Sequence, residues 1–202
     1  MAAFDHLVIS AEALEEGAAW VEEVLGVPTE PGGQHDLMAT HNRLLRLGEG
    51  EYLEVIAADP ARPAPGHPRW FRLDRFTGAP RLTNWVVRAD DLDAALALAP
   101  KGAGRATDLA RGALRWRMAV PGDGCLPYDD GFPGLIQWQG AHPAAMLPDR
   151  GCRLLSLTLS HPEAGALARA LPLDDPRISV VAGPPGLSAR IATPGGERQL
   201  RC

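Results

Sequence analysis

Phe4-Asp5-His6-Leu7-Val8-Ile9-Ser10 decides the fold, because its pattern returns as Thr83-Asn84-Trp85-Val86-Val87. Each stretch reads as a strand of β-branched and aromatic residues. Laying His6 over Asn84 sets Leu7-Val8-Ile9 on Trp85-Val86-Val87 without a gap, then Ala11 on Ala89, Glu12 on Asp90, Leu14 on Leu92 and Glu15 on Asp93. A strand, an acidic helix start and a first core leucine therefore occur twice in the same order.

Working outward, a helix is expected from about Ala11 to Leu25, since Leu14, Ala18, Val21 and Leu25 fall on one face. Glu12, Glu15 and Glu16 stand in its first turn, where the helix dipole favours them, and Gly26 ends it. A Gly-Pro turn over 28–33 leads into an extended stretch. Strands are then expected over 42–48 and 52–57, around the tight turn Gly48-Glu49-Gly50. The first module, residues 1–60, is thus strand, helix and about three strands.

A proline-rich connector over 61–80 carries the apolar patch Arg69-Trp70-Phe71, which should pack on the body of the fold. The second module, 81–140, repeats the plan with strands at 107–110, 114–120 and 134–138; its closing strand sets Gln137 opposite Glu54. Residues 141–202 begin the plan a third time: a strand over 154–160, a helix over 164–171, and strands at 178–181 and 187–192. The expected class is α+β: repeated βαβββ modules whose curled mixed sheets enclose a cleft, with a shortened third module packed on the same body.

Composition bounds the function. The 202 residues suffice for a real core, and 46% hydrophobic with 22% charged residues is ordinary globular usage. The net charge is −5, and 19 of the 20 basic residues are scattered arginines, so a nucleic-acid surface is not expected. No run is long enough to span a membrane, and the opening residues are no signal peptide. Cys125, Cys152 and Cys202 suggest neither a disulfide framework nor a zinc knuckle, which fits a bacterial-type cytoplasm. There is no phosphate loop, hence no expected nucleotide cofactor, and no serine nucleophile elbow.

The module plan, with Asp5-His6-Leu7-Val8, Gly32-Gly33-Gln34-His35, Thr40-His41-Asn42-Arg43-Leu44-Leu45, Tyr52-Leu53-Glu54-Val55-Ile56, Arg69-Trp70-Phe71 and Leu157-Thr158-Leu159-Ser160-His161-Pro162, resembles the vicinal oxygen chelate superfamily. Within it, the chain is similar to the glyoxalase-like domain proteins. The resemblance spans nearly the whole chain and implies a cleft in which a divalent metal (zinc, iron, nickel or manganese) is held by the first and last strands of each module. By position those residues are His6, Glu54, Asn84 and Gln137. His6 and Glu54 suit a metal; the amides of Asn84 and Gln137 are weak donors and depart from the pattern.

Each candidate also has a plainer reading. His6 can be a polar residue at a strand entrance, and Glu54 can face solvent by simple alternation. His35 and His41 lie in a segment that is either ligand-facing or a loop and strand edge; His41 or Asn42 could bond a ligand or serve as a base. Turn chemistry accounts for His67, His142 and His161, each of which precedes a proline. Trp85, Trp116 and Trp138 belong to a core or to a cleft wall.

The resemblance implies an enzyme of lyase, isomerase or dioxygenase type acting on a small oxygenated or carbonyl compound. Glu54 or His41 would move a proton, Asn42, Asn84 and Gln137 would hold substrate oxygens, and Trp85 or Trp138 would wall the cleft. The alternative is a metal-free protein of the same fold that sequesters a small molecule; a structural role, with the cleft vestigial, is weaker still. The expected partner is a small molecule, with no nucleic acid or membrane, and the chain is expected to be a monomer or homodimer.

Overall fold

The structure, a computed structural model, describes residues 2–202. Strand β1 (Ala2–Ser10), helix α1 (Leu14–Leu25) and strands β2 (Glu30–His35), β3 (Thr40–Gly48) and β4 (Glu51–Ala58) form the first module. Helix α1 starts three residues later than its apolar spacing predicts. The sheet holds Ala11 in place, because its N–H donates to the Ile56 carbonyl at 3.0 Å. Glu12 therefore precedes the helix and accepts from the Gly78 N–H, leaving Glu15 and Glu16 in the first turn. Gly26 closes α1 in the left-handed region at φ 71, as a residue without Cβ can.

The expected turn over 28–33 is in large part strand. Pro31 lies on β2, at an edge of the sheet, where its missing N–H deprives no central ladder. The β2–β3 register slips between Pro31 and Gly33.

The second module contains β5 (Arg81–Ala89), α2 (Leu92–Leu98), β6 (Arg105–Arg111), β7 (Leu114–Val120) and β8 (Gly134–Trp138). The two modules share one topology. In each, the first strand lies parallel to the last, β1 beside β4 and β5 beside β8. Antiparallel pairing of β1 with β5 fuses them into one eight-stranded sheet of order β2-β3-β4-β1-β5-β8-β7-β6. The sheet curls until its edge strands β2 and β6 touch.

The C-terminal residues form β9 (Arg153–His161), α3 (Ala164–Ala170), β10 (Ile178–Ala182), β11 (Gly186–Thr193) and β12 (Gly196–Arg201). The last strand was not expected from the sequence, whose Arg-Gln-Leu-Arg pattern is nearly all polar; only Leu200 of β12 is buried. This unit keeps the order of elements but changes the pairing. Strand β9 takes the next strand, β10, as its parallel neighbour, giving the order β10-β9-β11-β12.

Alternation along the strands divides the core into two faces. Leu7, Ile9, Leu53, Val55, Trp85, Val87 and Leu135 point outward into a core shared with the helices and the small sheet. Val8, Ile56, Val86, Met118 and Ile136 line the concave face, which the connector fills from above with Trp70, Phe71 and Leu73. Those three come from 3-10 turns over Trp70–Arg75, kinked where Phe71 and Arg72 adopt left-handed backbone angles.

Candidate functional site

The concave face holds a chain of buried polar groups, and a strand irregularity begins it. Between Phe4 and His6 the β1–β5 register shifts, so Asp5 has no partner of its own across the ladder. In a regular strand Asp5 and His6 would face opposite ways; the bulge turns both into the concavity. Asp5 is fully buried, and its Oδ1 lies 2.7 Å from His6 Nδ1. Its Oδ2 accepts from Trp138 Nε1 and bonds His142 Nε2, each at 3.0 Å.

On β4 the alternation that buries Leu53 and Val55 outward sends Tyr52 and Glu54 inward. The Tyr52 ring stacks on His6 at 4.4 Å between centroids. Glu54 Oε2 lies 3.6 Å from His6 Nε2, an ion-pair distance too long for a hydrogen bond. Its other oxygen accepts from Asn42 Nδ2 at 2.5 Å, and Asn42 Oδ1 accepts from the Gly33 N–H at 2.9 Å. His35 completes the row. Its Nε2 receives Arg111 Nη1 at 3.2 Å, and its Nδ1 lies 3.0 Å from Thr40 Oγ1. Because a guanidinium only donates, His35 accepts at Nε2 and carries its proton on Nδ1.

The charges follow from these contacts. For His6, burial is the largest influence and pulls the pKa down. The hydrogen bond to Asp5 and the negative charges of Asp5 and Glu54 together overcome it and raise the pKa to about 9. Burial pushes the Glu54 carboxyl up, but His6, His35 and Asn42 bring it down to about 2. Asp5 behaves alike: burial opposes ionisation, while His142 and His6 hold it well below the usual carboxylate range. Burial, aided by the charges of Arg111 and His6, lowers His35 to about 4. At neutral pH the site thus holds an imidazolium between two carboxylates, with a neutral imidazole beside them.

Trp70, Phe71, Trp116, Met118, Ile136 and Trp138 wall this chamber and leave about 20 Å³ of free space, room for about one water. Arg111 lines the chamber and also a cleft of about 800 Å³ outside it.

The structure brings together His6, Glu54, Asn42 and Trp138 of the residues named from sequence. It sends the others elsewhere. His41 neighbours Asn42 on β3 and so takes the opposite face of the sheet. Trp85 belongs to the outer core, where Nε1 donates to the Gly131 carbonyl at 3.0 Å. Gln137 also points outward: Nε2 donates to the Asp90 carbonyl at 2.6 Å, and Oε1 faces the Leu92 N–H that opens α2. Register explains the error. Val8 pairs with Glu54 and Val86 with Gly134, so the counterpart of Glu54 is Gly134, three positions and one face away from Gln137. Asn84 is buried on the concave face, but it lines a separate cavity of about 310 Å³ beyond Phe71, beside Asp130.

The metal set implied by resemblance therefore does not fit these residues. Of its four positions only His6 and Glu54 converge; Gln137 faces away from them and Asn84 lines a separate cavity. Among the described residues no three His, Cys, Asp or Glu side chains are placed to hold one ion. Sequence reasoning passed over Asp5, Tyr52 and Arg111, placed His35 only in a segment that could face a ligand, and gave His142 to turn chemistry. Asp5 alternates away from His6 unless a bulge intervenes, and Arg111 reaches the site only because β6 curls back to β2.

Residues 4–173 match the family described as a glyoxalase-like domain. The chain belongs to that family. Among solved structures, a hypothetical protein from Staphylococcus aureus is similar to this glyoxalase-like chain at 12% identity and a TM-score of 0.65, covering 91% of this chain and 87% of that one. That likeness shows a shared fold. A methylmalonyl-CoA epimerase from Mycobacterium tuberculosis overlays at 20% identity and a TM-score of 0.42, over 71% of this chain and 91% of its own. A hypothetical protein from Bacillus halodurans does so at 10% identity and 0.42, over 70% and 96%. No curated protein matches. No helix among the described residues is long and apolar enough to cross a membrane.

Proposed function

We propose that this glyoxalase-like protein is an enzyme that brings a small carbonyl or other oxygenated compound up to the His6–Glu54 pair and moves a proton on it. The observation that carries this reading is the His6–Glu54 pair, buried, oppositely charged and 3.6 Å apart in an aromatic chamber. The His6 Nε2–H faces the Glu54 carboxylate at 3.6 Å, beyond hydrogen-bond length, and is a charged donor suited to a substrate oxygen that gains charge as a neighbouring C–H bond breaks. Glu54 is the base. Paired with His6 it is weak; a substrate oxygen that takes over the His6 donor relieves that pairing and raises its basicity. Asp5 keeps His6 protonated and oriented, and Asn42 orients Glu54. The proton taken by Glu54 returns to the same or an adjacent carbon, which is isomerase chemistry.

Incubation with small 2-oxo and 2-hydroxy compounds in D2O tests this, with proton NMR following solvent deuterium at the carbon beside the carbonyl. Incorporation that depends on protein and is lost in Glu54→Gln is expected; incorporation equal in wild type and Glu54→Gln would sink the base assignment.

The small free space and the aromatic walls favour a second reading, a protein that sequesters a small molecule without turnover. Saturable binding with no deuterium incorporation would select it. On either reading the chain is a cytoplasmic protein whose partner is a small molecule, and which works as a monomer or homodimer.

A further inference from the structure

We infer that Arg111 is an anion anchor at the neck of the site, and that the ligand is a small carboxylate bearing a carbonyl or hydroxyl on the adjacent carbon. This rests on the proton-transfer reading for where the reacting end lies. Three observations support it. First, Arg111 is the residue common to the inner chamber and the outer cleft, so a ligand passing inward meets its guanidinium. Second, the outer cleft collects Arg62, Arg111 and Arg115 against one carboxylate, Asp36, in a chain whose net charge is −5. Such a local reversal of sign draws anions to it. Asp36 already pairs with Arg62 at 2.8 Å, and Arg115 Nη1 is spent on the Gly112 and Leu114 carbonyls. Among the described residues the Arg111 guanidinium hydrogen-bonds only neutral His35, so it retains donors for a carboxylate, which it can grip with two parallel bonds.

Third, the fold keeps space for that side chain. A Cβ at Gly33 would stand 2.8 Å from Arg111 Cδ. Gly33 has no positive φ to require glycine; what it supplies is room. With its carboxylate on Arg111, a short 2-oxo or 2-hydroxy acid would extend its second oxygen past His35 toward His6 and Glu54.

The test is calorimetric titration of the full chain with pyruvate, lactate and 2-oxobutyrate, each beside its methyl ester, which keeps the shape and removes the charge. Wild type should bind the acids roughly tenfold or more tightly than the esters. Arg111→Gln should erase that preference, while Arg111→Lys retains part of it. Gly33→Ala, which displaces the arginine without removing its charge, should also weaken the acids, with thermal melts confirming that each variant folds. Equal binding of acid and ester, a preference that survives Arg111→Gln, or no acid binding at all would overturn the anchor. Failure of the proton-transfer reading looks different. In that case Glu54→Gln leaves the deuterium result unchanged, while the acid preference still depends on Arg111. Deuteration of esters without any acid preference sinks only the anchor.

Discussion

On β4 the residue beside Val8 is Glu54; on β8 the residue beside Val86 is Gly134. The two modules share strand order and direction, yet one half of the concave face carries Asp5, His6, Asn42 and Glu54, while in the other Asn84 and Arg111 flank an apolar stretch of Val86, Met118, Trp116 and Ile136. A buried carboxylate is tolerated only with a cation and hydrogen bonds around it. The first half supplies all of these for Glu54. In the second, Met118 Cε and Val86 Cγ2 already crowd the place of a side chain at Gly134, 3.1 and 3.3 Å from an added Cβ. Repetition built one cleft with a charged wall and an apolar wall, not two equivalent sites.

The strongest way to break this contrast is Asp5→Asn. It leaves His6 and His142 without their carboxylate in a fully buried position, and should lower unfolding free energy by about 3–5 kcal/mol in urea titrations. A loss below about 1 kcal/mol would mean that the network contributes little to the fold.

Next comes the pH profile. His6, raised from 6.5 to about 9, contributes stability that is fully present below pH 6.5 and is lost as pH rises through 9. His35, lowered from 6.5 to about 4, penalises the fold as pH falls between those values, because the unfolded chain takes up that proton first. Glu54, lowered from 4.5 to about 2, adds stability that is present above 4.5 and lost on descent through 2. Thermal melts should therefore peak near pH 6.5 and fall on both sides. Glu54→Gln should draw the alkaline decline to lower pH by removing part of what holds the His6 proton; an unchanged decline would place the titration elsewhere.

Gly32→Ala sharpens the contrast from the polar side. Its Cβ would fall 2.0 Å from Asn42 Oδ1, so the Asn42 side chain must leave Gly33 and Glu54. A cost of about 1–3 kcal/mol is expected in urea titrations, with the alkaline limb altered as well. The smallest effect belongs to the apolar wall. Ile136→Val should cost about 0.5–1.5 kcal/mol and leave the pH profile as it was.

Much of the fold was legible because strand and helix periodicities are local. The returning pattern at His6 and Asn84 announces two modules, and those modules form the eight-stranded sheet. The third unit was legible as elements but not as pairing, since which strand β9 selects depends on contacts distant in sequence. In the site, His6, Glu54 and Asn42 could be named because residue type and strand position coincide there. Gln137 and His41 were misplaced by parity, where a shift of one position turns a side chain to the other face. Asp5 was hidden by a bulge that leaves no mark in composition, and Arg111 by its distance from the rest of the site along the chain.

By itself, then, the sequence determined the alternation and the repeat, and with them a curled α+β sheet whose first strand brings a histidine to the concave side. Tertiary structure alone decided that Asp5 turns inward beside it, that β6 returns Arg111 to His35, and that the second module contributes a wall instead of a second set of ligands. The reason is physical. Periodicity is set by backbone geometry within a few residues, whereas the charge on His6 depends on Asp5 and Glu54 being shut in with it, and only the closed sheet brings that about.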